Sequence, residues 1–391
     1  MTTTPPIVVL GGGLMGLAIA HQLARRGHAV RVISRNRNEA AGFVAAGMLA
    51  PHAEGLSGQL LTLGQRSLAL IPQWVAQIEH DSGLTCGLRM SGIVVPFATE
   101  DDSRRYPTAA LGQSLNRKAL EQEVPGLAPR WQAGLLFEQD GQIDNRRQLM
   151  RALEKACVSL GVEFLEGAEV QALCRHSDSQ ELQQISLRTA EGEVQHHPCR
   201  MAVLCSGAWS QKLVPELPVF PVKGQMLSLQ GPRKALKRVI FGPGTYLVPR
   251  EDGLIVVGAT SERGAGFSAG LTPDGQAQLQ AGIQDLLPMA GSWPPMERWW
   301  GFRPCTPDEG PILGPSPRKG LWLACGHHRN GVLLAAITAE LLANAMNKNT
   351  YCAEVQTLWD AFSYKRFEHY KRATRESGLG IDKELKESEE N

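Results

Sequence analysis

No apolar run in the chain reaches the ~18–20 residues that a membrane-spanning helix needs. A secretory signal is not expected either. Met1–Pro6 carries no basic residue, and the apolar stretch Ile7–Leu10 ends at once in glycine. Nor is there an excess of charge: Lys+Arg 40 against Asp+Glu 39 leaves a formal +1, so nucleic acid and anionic membrane are not expected partners. The eight cysteines, at 86, 157, 174, 199, 205, 305, 325 and 352, form no CxxC pair. No metal site is expected from them, and they read as reduced, mostly buried thiols of a cytoplasmic protein. What remains is ordinary globular composition, in a chain whose 391 residues suit two domains.

Ile7-Val-Val-Leu10 has the character of a buried strand. Gly11-Gly-Gly-Leu-Met-Gly16 follows, then apolar positions at Leu17, Ala20, Leu23 and Ala24 with helical spacing. Gly27 stands where a helix C-cap belongs, and Ala29–Ile33 reads as a second strand. Met201–Gly207 and Leu321–Gly326 are later apolar strands that end in glycine. Ser91–Phe97, Met226–Leu229, Thr245–Pro249 and Leu254–Gly258 look like half-buried strands between turns. The expected fold class is α/β: a Rossmann-type nucleotide-binding domain with an inserted antiparallel-sheet (α+β) substrate domain. Residues 1–86, 145–217 and 300–368 are assigned to the first domain, and 87–144 and 218–299 to the second. The highly charged tail, 369–391, is expected to be mobile.

Gly11-x-Gly13-x-x-Gly16 lies between a strand and a helix, where a dinucleotide pyrophosphate would be held. The first glycine permits the tight turn, the second lets backbone approach phosphate, and the third lets helix and strand pack closely. The acidic residue that normally ends the second strand is replaced by Ser34, and Arg35 follows. That leaves FAD and NADP both open at this point. Gly264-Ala-Gly-Phe-Ser-Ala269 matches a similar pattern, but Gly270, Pro273 and Gly275 follow, so it reads as a loop. With no second nucleotide site, recycling of a flavin by NAD(P)H is not expected.

Three more stretches narrow the reading. These are Ala45-Ala-Gly-Met-Leu-Ala-Pro-His-Ala-Glu54, Tyr246-Leu-Val-Pro-Arg250, and Gly301-Phe-Arg-Pro-Cys-Thr-Pro-Asp308 with Pro311–Gly314 and Gly326-His-His-Arg-Asn-Gly331 after it. With the glycine fingerprint, and in the same order, they resemble the glycine oxidases of thiamine biosynthesis. Those enzymes belong to the larger amino-acid and sarcosine oxidase family of FAD enzymes. The resemblance, from about residue 7 to about 367, implies FAD rather than NADP.

It implies residue roles as well. Gly11, Gly13, Leu14, Met15 and Gly16 would cradle the pyrophosphate, with Ser34 and Arg35 near the adenosine. Ala41, Gly42, Ala46, Gly47 and Met48 would line the path toward the flavin, and the Val170 backbone would meet the adenine. His327, His328, Arg329, Asn330, Gly331, Val332 and Leu333 would wrap the isoalloxazine ring. Arg303 and Tyr246, with Arg329 close by, would hold a substrate carboxylate, since arginine's planar fork fixes orientation as well as charge. His328 stands where the family commonly has an aromatic residue. Gly301 stands where sarcosine oxidases carry the cysteine that bonds flavin, so FAD is expected to be non-covalent. No dedicated catalytic base is evident, and His52 and Glu54 read as loop hydrogen-bonding groups. Trp299-Trp300 reads as core packing and His196-His197 as a turn.

The resemblance implies oxidation of glycine and other small amines to the imine, with oxygen as electron acceptor, in support of thiazole synthesis. A thiazole synthase partner and a homotetramer are implied too. Two rivals stand beside it: a sarcosine or D-amino-acid oxidase or dehydrogenase of the same family, and a flavin-binding partner with little turnover.

Overall fold

The computed structural model describes residues 5–368. The charged tail expected over 369–391 lies outside them. Strand β1 (Ile7–Leu10) is buried throughout and pairs in parallel with β2 (Val30–Ser34), Ile7 opposite Val30 and Leu10 opposite Ile33. Helix α1 (Leu14–Arg25) connects them and buries Leu17, Ala18, Ile19, Ala20 and Leu23. Its small residues let it lie close to the sheet. Gly27, at φ +83°, ends it and donates its N–H to Ala24 O at 2.9 Å, a left-handed cap that favours glycine.

Around this unit stands a six-stranded sheet in the order Ile312–Pro315, Leu321–Cys325, Ala202–Leu204, β1, β2, Glu163–Glu166. Every neighbouring pair is parallel except the edge hairpin of Ile312–Pro315 with Leu321–Cys325. Three widely separated stretches of sequence contribute to it, as the three apolar strands ending in glycine suggested.

The second sheet has eight strands: Pro295–Cys305, Phe220–Gln230, Leu254–Gly258, Thr245–Pro249, Val239–Gly242, Ile93–Phe97, Ala133–Phe137 and Gln113–Asn116. It is antiparallel apart from one parallel pair, Val239–Gly242 with Ile93–Phe97. Alternation along its strands decides what faces what. Leu227, Leu247 and Val257 pack on Leu279, Ile283 and Leu286 of the helix Pro273–Leu286. Met226, Val248 and Val256 face the opposite way, in a cluster with Ala46, Ala50 and Ala53, and Tyr246 packs at its edge. That second face carries the site.

The long strand Pro295–Cys305 belongs wholly to this sheet and runs through the 299/300 boundary set from sequence. A three-stranded sheet, Glu169–Arg175, Leu182–Arg188 and Val194–Pro198, was not foreseen, because its outer strands alternate too few apolar residues to signal themselves. It corrects His196-His197, which lie in a strand and not a turn. Trp299 and Trp300 are half-buried, and of the two Trp299 packs against the cluster of Met226, Val248 and Val256. Trp299 Nε1 donates to Val44 O at 2.9 Å. No helix among the described residues is long and apolar enough to cross a membrane. Six of the eight cysteines are buried, and all eight are free thiols.

Candidate active site

A cavity of about 470 Å³ is lined from both sheets. At one end lies the glycine turn. Gly11 has φ +122°, and a Cβ there would sit 2.5 Å from Cys205 O. A Cβ on Gly16 would sit 1.8 Å from Gly11 O, so only glycine lets α1 begin this close to β1. The α1 N-terminus has no side-chain cap and no acidic residue in its first turn. Its free amides and the positive end of its dipole open on the cavity, which suits a phosphate.

Most residues singled out from sequence meet here. Gly11, Gly13, Leu14, Met15, Ser34, Arg35, Ala41, Gly42, Ala46, Gly47, Met48, Val170, Tyr246, Arg303, His327, His328, Arg329, Gly331 and Val332 all line the cavity. Gly16, Asn330 and Leu333 do not. Gly16 packs on Gly11, Asn330 precedes the helix Gly331–Met346, and Leu333 is core, its carbonyl accepting from Ser67 Oγ at 2.5 Å. That helix also starts at the cavity wall without a side-chain cap or an acidic first turn, so a second positive helix end serves the site.

The NADP alternative depended on a free arginine near Ser34. Arg35 is ion-paired with Glu39 and Glu169, and Arg37 with Glu154 and Glu166 at 2.8 and 2.6 Å. Both guanidinium charges are thus already offset by carboxylates, which disfavours a 2′-phosphate there. Glu39, five residues past the strand end, lines the cavity and brings a carboxylate to the region where Ser34 lacks one. Sequence reasoning missed it because a short helical turn, Arg37–Glu39, carries it there.

At the other end, Arg303 donates Nη1–H to Thr260 O at 3.0 Å. Among the described residues no carboxylate lies within ion-pair distance of it. Room for its guanidinium comes from Gly224 on the neighbouring strand, where a Cβ would fall 2.3 Å from Nη1. Tyr246 lies against Gly258 in the same manner, and burial pushes its phenol up to about 12, so it keeps its proton. Arg329 is half-exposed and places Nε 3.1 Å from Glu54 Oε2.

Glu54 corrects the sequence reading. It is no ordinary loop group but a buried carboxylate lining the cavity beside Arg329, and burial pushes its carboxyl up to about 7. Its position in a loop after Pro51 gave no such signal. His52 does act as a hydrogen-bonding group: its Nδ1 meets Asp140 Oδ1 at 2.5 Å. His327 is buried and bonded to Thr338 Oγ1 at 3.0 Å, and desolvation lowers its pKa to about 3, so it is neutral. Cys305, Glu309 and His328 bring their donor atoms within 4.8 Å of one another, a grouping their spacing did not suggest. Arg263 and Arg329 already attend the Glu309 carboxylate and oppose a cation there.

Residues 6–345 match the family described as FAD dependent oxidoreductase. The chain belongs to that family. As a member it is an FAD-dependent oxidoreductase, and the glycine turn, uncapped helix ends and paired arginines fit that cofactor. It is 41% identical over 376 residues to a bifunctional protein ThiO/ThiG of Synechocystis, covering 94% of this chain and 55% of the relative. It thus spans about half the length of the curated relatives it matches first. A glycine oxidase of Geobacillus kaustophilus is 32% identical, covering 89% of this chain and 94% of the relative. The crystal structure of glycine oxidase from that organism superposes with a TM-score of 0.81 at 31% identity, covering 88% of this chain and 95% of the other.

Proposed function

We propose that this chain oxidises glycine, and other small amines, to the imine, which hydrolyses to glyoxylate and ammonia while oxygen is reduced to hydrogen peroxide. One observation carries the reading: Arg303, a cation without a carboxylate partner among the described residues, stands beside the Tyr246 phenol in the cofactor cavity. A guanidinium with unused donors and a phenol that keeps its proton make a receptor for a small carboxylate. Each charge-assisted bond formed there is worth about 1.5–3 kcal/mol. Gripping the carboxylate orients the adjacent carbon, and orientation is what hydride transfer requires of the protein. FAD, when bound, supplies the hydride acceptor.

The cofactor is held without a covalent bond in this reading. A side chain at Gly301 would strike Val44 Cγ2 at 2.5 Å, which leaves no room for a cysteine there. Cys205 and Cys325 line the cavity, but burial pushes both thiols well up, Cys325 to about 12, so neither supplies a thiolate. The residues proposed to hold FAD are those named from sequence that line the cavity, with Glu39 added for the ribose. The division of the chain into a cofactor unit (1–86, 145–217, 300–368) and a substrate unit (87–144, 218–299) is proposed with the strand Pro295–Cys305 moved into the substrate unit. The ThiO/ThiG relatives support a thiazole synthase partner and a place in thiamine biosynthesis, and a cytoplasmic location is proposed beside them. A homotetramer is proposed on family resemblance.

Anaerobic mixing of purified holoenzyme with glycine, sarcosine and small D-amino acids tests the reading. Glycine should bleach the flavin, and admitting air should restore its colour with release of peroxide. A flavin that glycine leaves unbleached would sink the glycine assignment, and bleaching by another of these amines alone would favour the sarcosine or D-amino-acid alternative.

A further inference from the structure

Glu54 is held more firmly than its place in a loop suggests. Its N–H donates to Ala50 O at 3.0 Å. Tyr106 OH donates to Ala53 O at 2.6 Å, and Thr108 Oγ1 donates to His52 O at 2.6 Å. Asp140 accepts from the His52 ring at 2.5 Å and from the Ala53 N–H at 2.8 Å, while Gln65 donates to the other ring nitrogen at 3.0 Å. Three distant segments therefore pin the two residues that precede it. The exception is the carboxylate at the end of this network. Its side chain is 7% exposed, yet Oε2 accepts no hydrogen bond, because the Arg329 Nε 3.1 Å away falls outside hydrogen-bond geometry. A buried carboxylate oxygen with an ion pair but no hydrogen bond keeps its acceptor site open to a donor in the cavity.

The groups around Glu54 are Arg329 and Arg303, which favour its anion, and Asp140 and Glu309, which oppose it. Tyr106 and Tyr246 are also near and stay neutral, both pushed up to about 12 by burial. Burial outweighs all of these and leaves Glu54 able to take a proton near neutrality.

We propose that Glu54 is the base that takes the proton from the substrate ammonium while Arg303 and Tyr246 hold the carboxylate. This rests on the amine-oxidation reading above. In the step, the substrate N–H bond breaks, an O–H bond forms at Oε2, and no electrons change hands. The nitrogen lone pair so freed can form the C=N bond of the iminium ion as hydride leaves the carbon. Arg303 and Arg329 assist, because two guanidinium groups disfavour a neighbouring ammonium and lower its pKa from the ~10 of a free aliphatic amine.

The test is the rate of anaerobic flavin reduction by glycine between pH 6 and 10, for wild type and Glu54→Gln. Acetate affinity, read from the flavin spectrum, is followed in parallel. At pH 7 the variant should be slower by on the order of 10²-fold. The deficit should shrink to a few-fold by pH 10, where glycine arrives as the free amine. Acetate should bind no more weakly than to wild type. A deficit of equal size at every pH overturns the proton role, and so does loss of acetate binding in step with activity. If Glu54→Gln fails to retain flavin, Glu54→Asp carries the same test: a deficit that shrinks with rising pH supports the proposal, and a flat one overturns it. Wild-type flavin unreduced by glycine, sarcosine and small D-amino acids alike overturns the amine-oxidation reading, and this proposal with it. Reduction of wild type with a flat variant deficit overturns the role of Glu54 alone.

Discussion

Gly224→Ala separates the carboxylate receptor from the fold that carries it. Gly224 has no positive φ, so alanine suits the strand backbone. Its methyl would nevertheless lie 2.3 Å from Nη1 of Arg303 and 2.6 Å from Cζ and Nη2, distances no real carbon tolerates. The atoms in the way are the far end of a flexible side chain, so the guanidinium turns aside at a cost of about 1 kcal/mol. The bond from Nη1 to Thr260 O goes with it. Function has no such escape. Each charge-assisted bond lost to the substrate carboxylate weakens binding by about 1.5–3 kcal/mol, and ~1.4 kcal/mol is tenfold. Loss of one bond alone gives roughly 10-fold to 10²-fold, and loss of the bidentate pair gives more. Acetate titration of the holoenzyme and the glycine dependence of flavin reduction should both move by about 10²-fold, while the thermal midpoint falls by only ~2 °C. Unchanged acetate affinity would refute the role given to Arg303, because the displaced guanidinium could not then have been the receptor.

Other perturbations bear on the rest of the site. Gly16→Ala sets a Cβ 1.8 Å from a backbone oxygen that cannot turn away, so the purified protein should carry little flavin and lose about 1–3 kcal/mol in chemical denaturation. Asp140→Asn, which weakens the hold on His52 and Ala53, should cost about 2–4 kcal/mol and lower the rate of flavin reduction. His327 is lowered from 6.5 to about 3, so the folded protein binds fewer protons than the unfolded chain across that window. Stability is then lost as pH falls through it, by up to ~1.4 kcal/mol per unit, and His327→Asn should flatten the acid side of a stability profile measured by denaturant. Glu54 has the opposite sign. Raised from 4.5 to about 7, it makes the folded state bind more protons, so its burial costs stability as pH rises, and Glu54→Gln should unfold later than wild type at pH 8 but not at pH 4.

The framework was legible because local signals and tertiary outcome agree. The apolar run Ile7–Leu10, the glycine turn and Gly27 each have one physical use, and the structure puts all three to it. Arg303 and Tyr246 were legible through the motif order, but what makes them a receptor was not. Gly224 and Gly258 are unremarkable in a linear reading, and only strand pairing shows which side chain each admits. Glu54 escaped because its burial depends on Asp140 and Tyr106, 86 and 52 residues away, and no local pattern encodes that. His196 and His197 were misread for a related reason: a strand exposed on both faces lacks the alternation that reveals strands.

The proposed receptor and base come from distant parts of the chain, yet both are fixed to the eight-stranded sheet. Tyr246 and Arg303 each lie flat across a glycine of an adjacent strand, so the carboxylate they grip must sit close to bare backbone of the eight-stranded sheet. Glu54 lies in the loop after Leu49, whose Ala50 and Ala53 pack on that same sheet and whose backbone is bonded by Tyr106, Thr108 and Asp140, while Arg329 comes from the turn before the helix Gly331–Met346 on the nucleotide-holding side. A substrate held by its carboxylate at Arg303 and Tyr246 and by its nitrogen at Glu54 would be carried by one layer, with its α-carbon in the space lined by both. A shift of the nucleotide-holding layer against that one would leave the carboxylate bonded and draw the cofactor away from the α-carbon. Substitutions in the contact between the layers, such as Val44 against Gly301, are therefore expected to lower the rate of flavin reduction more than acetate affinity.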